Sequence, residues 1–325
     1  MTLVTGATGF VGSVLVRQLL AAGEPVRVLR RGSSALDLLG ESADEVEHAI
    51  GDVTDAESVH AAMAGVETVY HVAGTVAFGR RARARLRAVN VEGTANVVNA
   101  GLTAGVGRLV HTSSIAALGR PARAGVLDET AVWTPSRLNT AYAVSKRDAE
   151  REVLRGVAEG LDAVIASPAL VFGPGRPGEG TMALAQRLTA GQVPLAPPGA
   201  TAVVDVEDVA AGLRAARARG ATGERYVLAA ENLSWTEILA TLAAALGVEA
   251  PTHTAPPWLL NAGGVLGETW AAVTRSEPDL TLETARNAAA TLRYDGSRAE
   301  RQLGVTYRPF SETARRIADA LAVGT

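Results

Sequence analysis

Tyr142 and Lys146 stand four residues apart in Tyr142-Ala143-Val144-Ser145-Lys146, a spacing that puts both side chains on one face of a helix. An ammonium beside a phenol favours the phenolate and lowers the phenol pKa from about 10. Such a phenol can exchange a proton with an alcohol or carbonyl oxygen near neutral pH. Upstream, Thr112-Ser113-Ser114 ends a β-branched run. A serine hydroxyl there can hydrogen-bond the same oxygen and stabilise the charge that develops on it. Tyr-x-x-x-Lys alone is a common accident, so its meaning depends on what the rest of the chain places beside it.

The chain opens with Thr5-Gly6-Ala7-Thr8-Gly9-Phe10-Val11-Gly12, between a strand-like run and a helical one. That is the context a dinucleotide-binding loop requires. Its glycines permit a tight turn and close approach of main-chain N–H groups to a pyrophosphate, and the helix N-terminus adds positive potential. NAD sites usually end the second strand with Asp or Glu, which accepts hydrogen bonds from the ribose hydroxyls. Here that end reads Val28-Leu29-Arg30-Arg31-Gly32-Ser33-Ser34, with two guanidiniums and no carboxylate. A guanidinium matches a 2′-phosphate in charge and fork geometry. The expected cofactor is therefore NADP(H), with Ser33 adding a hydroxyl; NAD(H) is the alternative, with the arginines as solvated loop residues. Asp52 follows the third strand, where it either accepts from the adenine amino group or forms an Asx-turn or helix cap.

The elements that must hold these residues follow from periodicity. Short β-branched runs at Leu3–Thr5, Val26–Leu29, Glu45–Ile50, Thr68–Val72, Arg108–Thr112 and Asp162–Ala166 alternate with helical stretches at Gly12–Ala22, Ala56–Ala64, Leu86–Ala104 and Tyr142–Ala158. Alternation on that scale predicts βαβ crossovers and a doubly wound parallel sheet, an α/β fold that binds ligands beyond the carboxyl ends of its strands. After Pro168 the texture changes. Val171–Pro177 and Gln192–Ala200 read as loops, Val203–Val206 and Tyr226–Leu228 as strands that can return to the sheet, and Trp235–Leu246, Ala255–Ala272 and Leu282–Ala290 as helices. The expected division is a nucleotide-binding domain over 1–167, joined by 201–230, with a smaller, discontinuous substrate-binding lobe from 168–200 and 231–325.

Composition bounds the chemistry further. The 325 residues carry 31 Lys+Arg against 34 Asp+Glu, a net charge of −3, which does not suggest a nucleic-acid binder. Zero cysteines exclude disulfides, thiolate nucleophiles and Cys-ligated metals. The five histidines show no ligand spacing, so no metal is expected. His71 and His111, at strand ends, read as packing residues. No window has the ~18 uninterrupted apolar residues of a spanning helix, and with no basic leader the expected location is the cytoplasm.

Together these motifs resemble the extended short-chain dehydrogenases/reductases, the family of nucleotide-sugar epimerases, dehydratases and dihydroflavonol-type reductases. The resemblance runs nearly end to end. Beside the motifs above, it rests on Gly51-Asp52, His71-Val72-Ala73-Gly74, Asn90-Val91-Glu92-Gly93-Thr94, Ser167-Pro168, Gly173-Pro174-Gly175, Val206-Glu207-Asp208-Val209 and Leu303-Gly304-Val305 with Tyr307-Arg308-Pro309-Phe310. It implies that Tyr142 is the general acid/base, that Lys146 lowers its pKa and holds the nicotinamide ribose, and that Ser114, five residues before Gly119, is the catalytic hydroxyl. It implies cofactor contacts from Gly6, Thr8, Gly9, Phe10, Val11, Gly12, Val53, Val72, Ala73, Gly74, Asn90, Thr112, Ser113 and Tyr142, with Asn90 in the helix position behind the active site. Pro168, Ala169, Leu170 and Val171 would meet the carboxamide end.

Departures from the family pattern bear on the reaction. Ser167-Pro168 replaces the Arg-Pro of sugar epimerases and dehydratases, and Ile115-Ala116 stands where dehydratases carry an acidic pair. The double arginine also resembles the NADPH-using reductase branch. The expected activity is therefore ketoreduction of a small or medium carbonyl metabolite with the 4-pro-S hydride, a choice of face that the resemblance alone implies. A nucleotide-sugar 4-epimerase with retained NAD and a non-catalytic NADPH-binding regulator are the alternatives. Phe78 to Arg87 carries five arginines. Arg80 and Arg81 either meet an anionic or carrier-bound substrate or begin a solvated helix. Thr75, Phe78, Trp133 and Phe172 are further candidates for the substrate wall; Trp258 and Trp270 either wall the cleft or pack in the core. The exposed faces of Leu86–Ala104 and Tyr142–Ala158 resemble the helices of the family's homodimer interface.

Overall fold

The computed structural model describes residues 1–120, 125–274 and 281–323, and the backbone alone of Arg80, residues 270–274 and Val323. The first half runs β1 (Thr2–Thr5), α1 (Phe10–Ala21), β2 (Val26–Arg30), β3 (Glu47–Ile50), α2 (Ala56–Ala62) and β4 (Thr68–His71). A broken helical stretch follows: α3 (Arg83–Leu86), a π-helical turn over Arg87–Glu92, and α4 (Gly93–Ala104). Then come β5 (Arg108–Thr112), the short β6 (Val126–Leu127), α5 (Ala141–Ala158) and β7 (Ala163–Pro168). The remainder is β8 (Leu170–Phe172), α6 (Gly180–Thr189), β9 (Ala200–Asp205), α7 (Val206–Arg219), β10 (Arg225–Leu228), β11 (Glu231–Ser234), α8 (Trp235–Leu246), α9 (Pro257–Thr274), α10 (Leu282–Ala289), β12 (Arg293–Tyr294), α11 (Ser297–Leu303) and α12 (Phe310–Val323).

Seven strands form a parallel sheet in the order β3-β2-β1-β4-β5-β7-β10. Leu3 and Val4, adjacent in β1, are both fully buried but in different clusters, because successive side chains leave opposite faces. Val4 packs with Val14, Leu15 and Leu213 on the α1–α7 side; Leu3 packs with Val97, Val98 and Val153 on the α4–α5 side. Burying each such side chain contributes about 1.5–3 kcal/mol. Strand order reverses between β1 and β4, and a crevice opens there at the carboxyl ends. Register aligns those ends: Thr5 pairs with both Leu29 and His71, His71 with His111, and Thr112 with Ala166. The loops carrying the sequence motifs therefore leave the sheet side by side.

The long helix expected over Leu86–Ala104 is interrupted by its π turn, a widening that often marks a working site in a helix. Asn90 sits in that turn, 1 % exposed, and its side chain is spent on tertiary bonds. Of the two later runs expected to return to the main sheet, Tyr226–Leu228 does so as β10, beside β7. Val203–Val206 does not. It belongs to β9, between β8 and β11 in a separate three-stranded sheet. Asp205 ends that strand and caps α7 through the Glu207 N–H at 2.8 Å, so the chain turns back onto the main sheet as a helix. β8 lies inside a stretch that reads as loop, and α6, α7, α11 and α12 are helices that the sequence reading does not mark.

A third core gathers Phe172, Met182, Leu188, Ile238, Leu242, Phe310 and Ile317 from the second half of the chain. It is tied to α7 by buried charge. Asp205 accepts from Thr313 and Arg316, and Arg308 pairs with Asp208 through both its guanidinium and its main-chain N–H. The sequence motifs around Asp208 and Arg308, a hundred residues apart, are thus two halves of one connection.

Candidate active site

The glycine loop is shaped by two contacts. Gly6 has φ +69° and lies so close to the Ala73 main chain that a Cβ would come within 2.6 Å of its nitrogen. Gly12 faces the Gly6 carbonyl, which a Cβ would meet at 2.1 Å. Only glycine allows β1, α1 and the β4 loop to approach this closely. Gly9 begins α1 with no side-chain cap, leaving the helix N-terminus open to an anionic ligand.

One large cleft runs from this loop across the ends of β2, β3, β4, β5 and β7. Its walls include Gly6, Thr8, Gly9, Phe10, Val11 and Gly12; Arg30 and Arg31; Asp52 and Val53. They continue with Val72, Ala73, Gly74, Thr75 and Phe78, then Thr112, Ser113 and Ser114, Tyr142 and Lys146, and Pro168 to Val171. The sequence motifs thus converge on one continuous surface. Its glycine cradle, open helix N-terminus and guanidiniums fit a dinucleotide, and among the described residues the buried Thr112 hydroxyl has no partner.

Helix α5 presents the reactive pair. The Thr140 side chain caps it, accepting from the Ala143 N–H at 3.1 Å, and Tyr142 and Lys146 follow on the inward face. Ser114 caps the short 3₁₀ turn Ile115–Leu118, accepting from the Ala116 N–H at 3.2 Å. Ser113 turns the other way and donates to the Glu150 carboxylate at 2.5 Å. The two adjacent serines are therefore separated by geometry: one hydroxyl acts on the Tyr142 phenol, the other is bound behind the wall. Glu150 is 1 % exposed and also pairs with Arg225, holding a buried negative charge below Lys146. It is a supporting residue that the sequence reading missed, and its place one turn beyond Lys146 on α5 was the available signal.

The electrostatics differ from the expectation in one respect. Burial pushes the Tyr142 phenol above its usual pKa, opposed by the Ser114 hydroxyl and the Arg120 guanidinium. Lys146 does not act on the phenol in this geometry. Its ammonium donates to the Thr112 carbonyl at 2.8 Å, and burial brings it down to about 8. His71 and His111 are fully buried with ring centroids 5.2 Å apart. His71 bridges the Thr5 and Thr94 hydroxyls at 2.8 and 3.0 Å, and burial lowers it to about 3. Both rings pack behind the cleft, as the sequence suggests.

Several expected residues stand elsewhere. Ser33 points to solvent because the turn closed by the Ser34 N–H on the Arg31 carbonyl carries it outward; Ser34 lines the cleft in its place. Asn90 lies behind the wall. It accepts from the Thr75 N–H at 2.8 Å and donates to the Thr75 carbonyl and the Ser145 hydroxyl, both at 3.0 Å. Phe172 is fully buried against Phe310, at 4.9 Å and 75°. Trp133 stacks with Arg147 at 4.9 Å and covers Gly119 instead of walling the cleft. Arg81 is exposed; from the same run it is Arg85 that lines the cleft, while the Arg80 side chain lies outside the described residues. Trp258 is exposed on α9, the Trp270 side chain lies outside the described residues, and Trp235 is the tryptophan at the wall. Asp52 uses one carboxylate oxygen to accept from the Thr54 N–H and hydroxyl, both at 2.9 Å, which is the Asx-turn, while still lining the cleft. Arg30 donates to His48 Nδ1 at 2.9 Å; His48 Nε2 then donates to the Ala43 carbonyl, fixing the neutral tautomer.

A seven-stranded parallel Rossmann sheet with this cleft defines a nicotinamide-dependent oxidoreductase. The chain belongs to the NAD dependent epimerase/dehydratase family, whose profile matches residues 2–229, and thus to the extended short-chain dehydrogenases/reductases. It is 36 % identical over 325 residues to a Synechocystis sp. protein provisionally named dihydroflavonol 4-reductase, spanning 98 % of this chain and 92 % of that one. It is likewise 36 % identical over 328 residues to the sterol demethylase protein B of Methylococcus capsulatus, spanning 99 % and 97 %. The crystal structure of gox2253 superposes with a TM-score of 0.85 at 31 % identity, covering 100 % of this chain and 98 % of that one. Among the described residues no helix is long and apolar enough to cross a membrane, and no group of three or more His, Cys, Asp or Glu side chains is placed to hold a metal ion.

Proposed function

We propose that the protein is an NADPH-dependent ketoreductase acting on a small or medium carbonyl compound. The observation that carries this reading is the charge at the end of β2. Arg30 and Arg31 line the cleft there and no Asp or Glu ends that strand, a place suited to a 2′-phosphate and not to two free ribose hydroxyls. The nicotinamide, when bound, supplies the hydride. The chain's own residues do the rest. Tyr142, a phenol that holds its proton at neutral pH and that burial raises further, gives that proton to the carbonyl oxygen. Ser114 donates a hydrogen bond to the same oxygen and steadies the charge that develops on it. Lys146, one turn along α5 and anchored on the Thr112 carbonyl, would hold the ribose of the bound nicotinamide. Ile115 and Ala116 after Ser114 supply no acid for a dehydration, which further supports reduction.

The cofactor-holding part is the parallel sheet with its helices, and the substrate-facing part is the unit built around the third core. We place a homodimer contact on the outer face of α5, where Val144 and Leu154 are exposed. The test of the function is to purify the protein, identify any retained cofactor, and titrate NADPH against NADH by fluorescence. Preferential NADPH binding with carbonyl-dependent oxidation is expected. Tightly retained NAD would overturn the reductase reading in favour of an epimerase.

A further inference from the structure

The chain is net negative, yet the cleft is not. Its lining carries a single carboxylate, Asp52, against seven cationic side chains among the described residues. Arg30, Arg31 and Arg176 lie on the cofactor side; Arg176 binds the Thr8 carbonyl and Asp37. Lys146 belongs to the reactive pair. That leaves Arg85, Arg120 and Arg187. Asp52 follows β3, four strands from β5 in the sheet, so about 19 Å separates it from the reactive end. It cannot offset charge near Tyr142. A concave surface with this imbalance concentrates anions.

Arg120 occupies a prepared position at the reactive end. It follows the 3₁₀ turn that Ser114 caps, after Gly119 with φ +84°. Its main-chain N–H donates to Asn139 Oδ1 at 2.8 Å, and Nη1 donates to the Leu138 carbonyl at 3.3 Å. The loop that leads into α5 therefore holds Arg120 relative to Tyr142. Its Nε is buried without a partner among the described residues. Tyr294, 2 % exposed, lines the same cleft, and its phenol interacts with the Arg120 guanidinium. The Arg120 guanidinium acts electrostatically on both the Tyr142 and Tyr294 phenols. Asn287, which also lines the cleft, has a buried carboxamide oxygen without a partner among the described residues. Buried polar atoms are normally paired, so Arg120 Nε and this oxygen are unspent hydrogen-bonding capacity in residues of the cleft wall. The rest of that wall is apolar, with Leu184, Val193, Leu195, Trp235 and Leu239.

We infer that Arg120 is the specificity-determining residue of this cleft and that the substrate is an oxo acid, its carboxylate received by the Arg120 guanidinium while the reacting carbonyl oxygen lies between Ser114 and Tyr142. The inference rests on the reductase reading. Arg120 follows the 3₁₀ turn that Ser114 caps and lines the same cleft as Tyr142, so a carboxylate held there belongs within a few bonds of the carbonyl. Leu184, Trp235 and Leu239 then accommodate an alkyl or aryl body. Arginine suits this role because its planar fork takes a carboxylate through two parallel hydrogen bonds.

The experiment pairs acids with their esters. NADPH oxidation is followed with 2-oxo and 3-oxo acids of about four to eight carbons and with their methyl esters, and binding of the unreactive N-butyl oxamate to the NADPH-loaded protein is measured by calorimetry. Arg120→Met should raise KM for the acids about 100-fold, and should weaken N-butyl oxamate to a similar extent. The esters, which report the effect of the lost guanidinium on Tyr142, should lose at least about tenfold less than the acids, and Arg120→Lys should recover part of the loss on acids. Wild-type protein that prefers esters, or an Arg120→Met loss equal for acid and ester, would overturn the assignment while leaving a ketoreductase in place. If no carbonyl compound oxidises NADPH, the reductase reading fails. The oxamate titration still decides the anion site, since unchanged affinity in Arg120→Met refutes it.

Discussion

Lys146 donates its ammonium to the main-chain carbonyl of Thr112 at 2.8 Å, joining α5 to the last residue of β5. Burial lowers its pKa from 10.5 to about 8. Between those values the native protein has released a proton that the unfolded chain still holds, so stability rises with pH across that window. The fall from 10.5 to about 8 corresponds to about 3 kcal/mol. Relative to Lys146→Met, wild type should therefore gain stability between pH 8 and 10.5. Urea unfolding of both proteins at pH 7 and pH 10 measures this; a difference independent of pH would show that the lysine is not held as described.

Tyr142→Phe removes the phenolic proton and keeps the ring, which meets Phe78 edge-on at 6.4 Å. Turnover should fall at least about 100-fold, the range of a general acid. NADPH affinity should stay within about twofold, since no lost contact is worth more than a fraction of a kcal/mol. Fluorescence titration beside NADPH oxidation separates the two effects, and unchanged turnover would remove Tyr142 from the mechanism.

Arg30 and Arg31 are expected to differ. Arg30 is pinned by His48, whereas Arg31 is exposed at the cleft edge. Arg31→Ala should weaken NADPH about tenfold, the loss of one charge-assisted bond, and leave NADH unchanged. Equal losses for both cofactors would point to a general electrostatic effect instead of recognition of the extra phosphate.

Asn90→Leu should destabilise the protein by about 2–4 kcal/mol, because it strands the Thr75 N–H and carbonyl and the Ser145 hydroxyl in a buried place. Thr75 lies on the cleft wall, so KM should rise as well. A stability change below about 1 kcal/mol in urea unfolding would mean that water replaces all three bonds.

His71 and His111 make the fold sensitive to acid. Both are held neutral by burial, His71 down to about pH 3, while in the unfolded chain they protonate near 6.5. Stability is therefore complete above pH 6.5 and declines as pH falls below it, by about 2 kcal/mol at pH 5 from His71 alone. The His111 ring nitrogens have no partner among the described residues, so His111→Leu should cost little at pH 7.5 and reduce the acid slope. Equilibrium unfolding from pH 5 to 7.5 tests this, and an unaltered slope would refute it.

How much of this was legible depends on how local each feature is. The glycine loop could be read because part of its demand is local: Gly6 takes φ +69° and Gly12 has no room for a Cβ against the Gly6 carbonyl, whereas the Ala73 main chain that also crowds Gly6 arrives only with the tertiary fold. The strands of the main sheet could be read because a parallel strand buried on both faces is a short apolar run. Tyr142 and Lys146 could be paired because a helix brings positions four apart together. Val203–Val206 could not be assigned to its sheet, since a β-branched run states that a strand forms and not which partner it finds.

The amino-acid sequence by itself determined the alternating α/β order, the cofactor loop and the residue types at the reactive end. These follow from periodicity, steric limits and side-chain chemistry, which act within a few residues. Only the tertiary structure decided which way each side chain faces. It turned Ser113 toward Glu150 and left Ser114 at the cleft, buried Phe172 against Phe310, spent Asn90 on Thr75 and Ser145, and set Arg120 near Tyr142 and Tyr294. Most of those contacts join residues far apart in sequence, and burial sets their strength. Both depend on how the whole chain packs.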